Sequence, residues 1–274
     1  MSAKQVSARG IESLRARRKR ARRRLSIFLA VLLVVIIGTL IWLAWQPYFR
    51  ISSIEVFDAD QSLAIYAKNA LAGSYFGIVP RDSYFFVPES KIRTEILEAN
   101  PQIAAVSIFH AGATSLSIKV SERVPIARWC GATYDESAST SPQAINCYLF
   151  DASGYLYATA TSDTGLNSFA VYQSLTASSS DPIGATLASA SALPDAFAFA
   201  RSLNDFGSPV ESVVVRSDEV DDLLASGTRI TYVLGQEQQA YSALDSAKST
   251  MDLSDGSVAY VDLRFPGDIY VKQE

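Results

Sequence analysis

The residue types that carry enzyme chemistry are few in this chain and are poorly grouped. His110 is the only histidine, so a metal site with two histidine ligands is excluded. A Ser-His-Asp triad would have to use the same side chain, which lies at the end of a predicted strand beside a turn, where a surface histidine is expected. The sequence contains neither Ser-x-x-Lys nor the glycine-rich patterns that bind phosphate.

Carboxylates are plentiful, and the pairs Asp218-Glu219 and Asp221-Asp222 stand out. Two acids can perform glycosidic chemistry when their separation in space suits it. These four residues lie in a run of charge, which predicts a solvated surface. We therefore predict no catalytic, cofactor-binding or metal-ligating residue, no small-molecule substrate and no enzyme activity.

A different kind of chemistry is indicated near the end of the chain, in VDLRFPGDIYVK, residues 261–272. Apolar and polar residues alternate along it, as in a half-buried strand, and a turn signal at 266–268 interrupts the alternation. An exposed strand edge presents N–H and C=O groups to an extended partner. The pattern by itself predicts a closing strand with a turn inside it, and it leaves open what the second half of the segment pairs with.

The N-terminal residues indicate on which side of a membrane the terminal segment lies. The first 24 residues carry ten Lys or Arg and one acid, whereas the rest carries 14 bases and 27 acids. Leu25–Trp45 follows without a charge, and its 21 residues can cross a hydrocarbon core of ~30 Å as a helix. The positive-inside rule then predicts a cytoplasmic tail at 1–24, a transmembrane helix at 25–45 and an extracytoplasmic remainder.

Two other interpretations of this region were weighed. A cleaved signal peptide has a shorter apolar run, and Leu43-Ala44-Trp45 is a poor cleavage site. Nucleic-acid binding by the arginine run is disfavoured, because the adjoining membrane helix already accounts for the charge. Attraction to anionic lipid heads is expected of the basic tail.

The residues from 50 to 123 predict a small α+β domain. Ile51–Phe57 has strand spacing, and helical spacing follows up to a stop at Gly73. An aromatic, irregular connection leads to a second helix that opens on Pro88 and ends before Pro101. Two alternating segments joined by a turn at 111–113 complete the order strand, helix, helix, strand, strand, which places both helices on one face of a sheet.

From 124 to 274 the pattern predicts a second, mixed and β-rich domain. Asp151–Gly154 lies between two aromatic runs and predicts a hairpin, and helices are expected near 195–207 and 236–252. Cys130 and Cys147, the only cysteines, could form a disulfide in an oxidising compartment or remain two free thiols.

Taken together, these segments resemble the FtsQ/DivIB family of bacterial cell-division proteins over nearly the whole chain. The similar stretches, in order, are ISSIEVF after the membrane segment, EANPQIAAVSIFHAGATSLSIKVSERVPIARW, LFDASGYLY and YVDLRFPGDIYVK. The loops at 74–88 and 176–194 depart from the family, being longer or richer in serine and alanine.

The resemblance implies a single-pass (bitopic) protein whose first extracytoplasmic domain is a POTRA domain, at 50–123, followed by the β-rich domain at 124–274. It implies a divisome scaffold at the septum that links early and late division proteins and supports septal peptidoglycan synthesis. The implied partners are FtsB/DivIC-like and FtsL-like proteins. The matching contact residues are Arg264, Phe265, Gly267, Ile269, Tyr270 and Val271, so the terminal segment is expected to pair with its own sheet on one side and with a partner's strand on the other. The alternatives from the residues themselves are an internal ion pair of Arg264 with Asp262 and core packing of Phe265.

Three rival functions were considered. An outer-membrane transporter with POTRA domains needs many more strands than the remaining chain can supply. A cell-wall enzyme needs acids or a nucleophile converging in a cleft. A single-pass signalling protein needs an output domain larger than 24 residues.

Overall fold

The computed structural model describes residues 5–134, 146–160, 169–176 and 181–273. The chain divides into two compact units. The first comprises Met1–Ala99 and Ala105–Ser121, and the second comprises Asn100–Ala104 and Glu122–Glu274.

The first unit begins with one long helix, α1 (Gln5–Ala44). Within it, the 23 residues Arg22–Ala44 are long and apolar enough to cross a membrane. The predicted span at 25–45 agrees with this segment to within three residues at either end. No helix break separates the basic tail from the apolar segment, because neither contains a proline.

The rest of the first unit has the predicted order of strand, helix, helix, strand, strand. The elements are β1 (Ser53–Phe57), α2 (Ala64–Leu71), β2 (Ser74–Tyr75), β3 (Val79–Pro80), α3 (Glu89–Ala99), β4 (Ile103–His110) and β5 (Ser115–Glu122). β5 lies between β4 and β1, and it runs parallel to β1. The connection predicted as irregular contains a small antiparallel hairpin, β2–β3.

Alternation explains the burial in this sheet. Leu116, Ile118 and Val120 are fully buried on β5, as predicted, and so are Ile92 and Ile96 on α3. α2 stops where expected, because Gly73 adopts a φ of 89° that other residues rarely adopt. His110 is half-buried, with its ring 4.4 Å from that of Tyr84, and is not the free surface histidine that we predicted.

The second unit is a mixed sheet with two helices. Its elements are β6 (Ala127–Gly131), β7 (Tyr148–Phe150), β8 (Leu156–Thr159), β9 (Ala170–Gln173), α4 (Leu193–Ser202), β10 (Val210–Arg216), β11 (Glu219–Leu224), β12 (Arg229–Val233), α5 (Glu237–Ala247), β13 (Val258–Asp262) and β14 (Tyr270–Gln273). Among the described residues, nine strands form one sheet in the order β8-β7-β6-β9-β10-β11-β12-β13-β14. The predicted hairpin at Asp151–Gly154 joins the antiparallel strands β7 and β8.

The main core of this unit contains buried residues of α4, α5 and the sheet. Phe197, Leu203 and Leu244 contribute from the helical segments and Tyr232 from β12, and the rings of Phe199 and Tyr232 are 4.7 Å apart. A smaller cluster contains Cys130, Tyr172 and Val214. Of the two states open for the cysteines, the structure has the disulfide Cys130–Cys147.

The prediction that the acids of β11 are solvated is wrong for Asp221 and Asp222, which are both buried. β11 is an inner strand of the sheet, flanked by β10 and β12, so both of its edges are paired and its backbone is not open to solvent from the side. Asp221 accepts a hydrogen bond from the Thr231 hydroxyl at 2.6 Å and forms an ion pair with Arg216. Asp222 points to the core side, as Val220 and Leu224 do.

Candidate partner-binding edge

The segment singled out from the sequence forms the hairpin β13–β14 at one edge of the large sheet. β13 runs parallel to β12, with Ile230 paired to Val261. Val261 and Leu263 are buried in the main core, as their alternation predicts. The first half of the segment is therefore an ordinary core strand.

A tight turn reverses the chain after β13. The backbone N–H of Asp268 donates to the carbonyl of Phe265 at 3.2 Å, and Gly267 adopts a φ of 84°. Proline at the second position and glycine with positive φ at the third are typical of a type II turn. Ile269, which follows the turn, packs against the main core and fixes the return of the chain.

β14 then pairs with β13 in the antiparallel sense. Val271 lies opposite Val261, and Tyr270 lies opposite Asp262. β14 is the last strand of the sheet, and in the part of the chain that the structure describes no strand pairs with its outer edge.

The direction of the backbone groups can be followed across this edge. The N–H of Leu263 donates to Thr231 of β12 at 2.8 Å, so alternate residues of β13 point their backbone groups towards β12. The backbone N–H and C=O of Asp262 therefore point towards β14, and those of its partner Tyr270 point back towards β13. By the same alternation, the N–H and C=O of Val271 are directed to the open edge.

Large apolar side chains accompany these free backbone groups. Phe265, Tyr270 and Val271 are 50%, 55% and 45% exposed, respectively. The rings of Phe265 and Tyr270 are 5.4 Å apart in an edge-to-face arrangement. The edge thus has free backbone groups with large exposed side chains beside them. Recognition by strand addition draws on backbone groups for affinity and on alternate side chains for specificity.

Arg264 is held by partners within the second unit. Its guanidinium donates to both carboxylate oxygens of Asp262, at 2.9 and 2.6 Å, and to Glu219 at 2.7 Å. The Arg264 side chain, through these hydrogen bonds, lowers the pKa of Asp262. Asp262 and Glu219, in that order of effect, raise the pKa of Arg264. This arginine fixes the start of the hairpin in place.

The structure brings the six predicted contact residues together in one hairpin, but with different surroundings. Gly267 makes the turn, Ile269 packs inward, and Arg264 is tied to its own sheet. The remaining three side chains are exposed at the edge. Sequence reasoning missed Glu219, which lies 45 residues before Arg264 and carries no local signal of the contact.

In the described ranges there is no group of three His, Cys, Asp or Glu side chains that could hold a metal ion.

No protein-family model matches this chain, and no curated protein matches it either. What the edge can do is bind an extended peptide through its backbone and its aromatic side chains.

Proposed function

We propose that the chain is a single-pass membrane protein of the FtsQ/DivIB type that binds other division proteins through β14. The observation that carries this proposal is the outermost strand of the large sheet, with an open backbone edge and three exposed apolar side chains. The bound segment is an extended piece of an FtsB/DivIC-like protein, itself associated with an FtsL-like protein.

The proposed topology is supported by α1 and by the distribution of charge. An apolar helix of sufficient length follows a tail that carries ten Lys or Arg among 24 residues. Such a tail is retained on the cytoplasmic side of a membrane. The part of the first unit that follows α1 and the whole second unit then lie outside the cytoplasmic membrane. The disulfide of the second unit suits an oxidising compartment.

The proposed identity of the first unit as a POTRA domain is supported by its element order and by a three-stranded sheet with β5 in the middle. The scaffold role follows from the kind of surface that the second unit exposes. Strand addition draws its affinity from main-chain hydrogen bonds and its specificity from alternate side chains. Phe265 and Tyr270 are placed to supply that specificity.

Localisation is the first test, because it does not depend on the choice of partner. A fluorescent fusion of the full chain should collect at the division site of its own cell. A fusion that stays evenly distributed around the membrane would overturn the assignment to the divisome.

The binding test uses the soluble part, residues 46–274, and the FtsB/DivIC-like protein of the same cell. Deletion of 270–274 removes β14 but leaves the buried residues of β13 in place. We expect this deletion to abolish binding while thermal unfolding stays cooperative. Unchanged affinity in the folded deletion variant would overturn binding through the edge strand. A longer deletion, of residues 258–274, is a poorer test because it also removes core residues.

A further inference from the structure

The small hairpin β2–β3 is fastened to the residues that follow the candidate membrane-spanning helix. The indole Nε1 of Trp45, the residue directly after α1, donates to the carbonyl of Ile78 at 2.8 Å. Arg50 forms an ion pair with Asp82, just beyond β3, at 2.7 Å. The hairpin is therefore held at the level where α1 ends.

The turn of this hairpin has an unusual residue at its tip. The N–H of Ile78 donates to the carbonyl of Tyr75 at 3.0 Å, and the two central residues, Phe76 and Gly77, have φ values of 52° and 72°. Positive φ at both central positions is the pattern of a type I′ turn, which strongly favours Asn-Gly. Gly77 meets this preference, whereas the bulky Phe76 does not.

Packing within the chain does not account for that phenylalanine. Phe76 is 98% exposed, so it contributes almost no buried area to the fold. Ile78 and Phe85, on either side of β3, are also more than half exposed. A large apolar side chain kept in a disfavoured backbone conformation and in full exposure indicates a partner outside the chain.

The distance to the end of α1 identifies the kind of partner. Phe76 is two residues from Ile78, so their Cα atoms are at most ~7.6 Å apart. The interfacial layer on each side of the hydrocarbon core is about 5–7 Å thick. If α1 spans the membrane, this layer begins near Trp45 and is within reach of the hairpin tip.

We propose that Phe76, together with Ile78 and Phe85, inserts into the interfacial layer of the membrane that α1 spans. This contact is with lipid, and it fixes how the first unit is held against the bilayer. Phenylalanine is among the residues that peripheral elements bury at the boundary between lipid headgroups and acyl chains. Arg81, whose guanidinium lies 5.3 Å from the centre of the Tyr75 ring, adds a positive charge suited to lipid phosphates.

The inference rests on the proposed membrane anchor, and the experiment separates the two. The full chain is placed in nanodiscs of phosphatidylcholine and phosphatidylglycerol, with one spin label at Tyr48→Cys, Phe76→Cys or Phe57→Cys. The two native cysteines are joined to each other, so the introduced thiol is the reactive one. The label's exposure to oxygen is compared with its exposure to a water-soluble nickel complex.

We expect the ratio of oxygen accessibility to nickel accessibility of the label at residue 76 to match that at residue 48, which lies in the short turn of helix just after α1. Both ratios should exceed the ratio at residue 57 several-fold. Phe57 is the matched control, an exposed phenylalanine at the end of β1 in the same unit. A ratio at 76 equal to that at 57, with 48 still in lipid, would overturn the hairpin contact alone. A ratio at 48 equal to that at 57 would overturn the anchor and the hairpin contact together.

A second variant tests the native side chain with no label in its place. Phe76→Asn supplies the residue that the turn prefers, so thermal stability in detergent should be unchanged or higher. A label at Ile78→Cys should nevertheless become several-fold more accessible to nickel in nanodiscs. If the label does not respond, or if Phe76→Asn destabilises the fold, then Phe76 serves the fold and the inference is wrong.

Discussion

At the scale of single residues, two adjacent acids on β11 have opposite surroundings. Asp221 has an ion-pair partner in Arg216 and a hydrogen-bond donor in Thr231. Asp222 is fully buried, and its oxygens make no hydrogen bond of ordinary geometry among the described residues. Burial raises the pKa of Asp222 well above its usual range, and the nearby charges of Asp221 and Glu237 add to this. The buried Tyr232 hydroxyl lies near enough to act on Asp222, and it lowers the pKa less than burial raises it.

This difference predicts that Asp222→Asn stabilises the protein in a pH-dependent way. A carboxyl whose pKa is raised by folding keeps its proton in the folded state after the unfolded chain has lost it. Stability therefore falls as pH rises above ~4, by at most ~1.4 kcal/mol per pH unit. The gain from Asp222→Asn should be near zero below pH 4 and clear at pH 7, as measured by urea unfolding of residues 46–274.

Asp221→Asn is the matched control, and its effect should have the opposite sign. It weakens charge-assisted hydrogen bonds to Arg216 and Thr231, so we expect a loss of about 1–3 kcal/mol at pH 7. An Asp222→Asn variant that is destabilised at every pH would show that the native carboxylate is ionised and stabilised.

Arg264 carries a second prediction at this scale. Arg264→Gln removes the ion pairs to Asp262 and Glu219 and should lower the unfolding free energy by about 1–2 kcal/mol. The low pKa of Asp262 gives stability that is present above ~4 and lost as pH falls through its folded value. The variant should therefore differ most from the native protein at neutral pH and least in strong acid, in the same urea assay.

The control for Arg264 is Arg229→Gln on the neighbouring strand. Arg229 lies over the ring of Tyr260 at 4.8 Å, and such a contact at a partly exposed site contributes only ~0.5–1 kcal/mol. Equal losses in the two variants would contradict a special role for Arg264 in holding the hairpin.

At the scale of elements, β14 is an edge strand whose two backbone edges have different surroundings. Its inner backbone groups pair with β13, and those of Val271 are directed outward. Natural proteins usually protect such an edge with charges or by covering it. Here Lys272 is the only charge within β14, and Tyr270 and Val271 leave an apolar edge.

Val271→Pro is predicted to block partner binding without unfolding the domain. Proline removes the outward N–H and is tolerated on the solvent side of an edge strand. Val271→Thr keeps that N–H and the branched shape, so it serves as the matched control. We expect at least a tenfold loss of affinity for the proline variant and near-native binding for threonine, measured by titration calorimetry with the FtsB/DivIC-like protein.

Two results would contradict this use of the edge. Native affinity of the Val271→Pro variant would mean that the partner does not pair with the outer backbone of β14. Equal losses from proline and threonine would mean that the side chain, and not the strand edge, is recognised.

At the scale of the whole molecule, the disulfide Cys130–Cys147 bears on the cellular compartment in which the second unit lies. Cys130 lies next to the last residue of β6, in a small cluster with Tyr172 and Val214, and Cys147 directly precedes β7. The bond closes a loop with a sequence separation of 17 residues. Such a bond is kept only where the surroundings are oxidising.

Replacing both cysteines by serine should lower the unfolding free energy of residues 46–274 by roughly 3 kcal/mol, chiefly because the unfolded chain is no longer closed into a loop. The full chain taken from its own cells should not react with a thiol reagent until a reductant is added. Ready labelling before reduction would contradict both the bond and an extracytoplasmic position for the second unit. A single engineered cysteine at the exposed Lys119 controls for the reagent.

Much of this architecture is encoded in local patterns. An uncharged apolar run predicted the second half of the long helix α1, and helical spacing predicted α2, α3 and α5. Alternation with a Pro-Gly turn predicted the final hairpin. These features depend on neighbours a few residues apart, so the sequence alone predicts them. The same reasoning correctly assigned Val261 and Leu263 to the core.

Tertiary structure alone decided the order of strands in the large sheet. The burial of the acids on β11, the contact of Glu219 with Arg264 and the open edge of β14 all depend on that order. It made β11 an inner strand, which buried the acids expected at the surface, and it placed Glu219 beside Arg264. It also left β14 outermost, with an open edge. Strand order depends on pairings between residues far apart in the chain, and no local period of hydrophobicity carries that information.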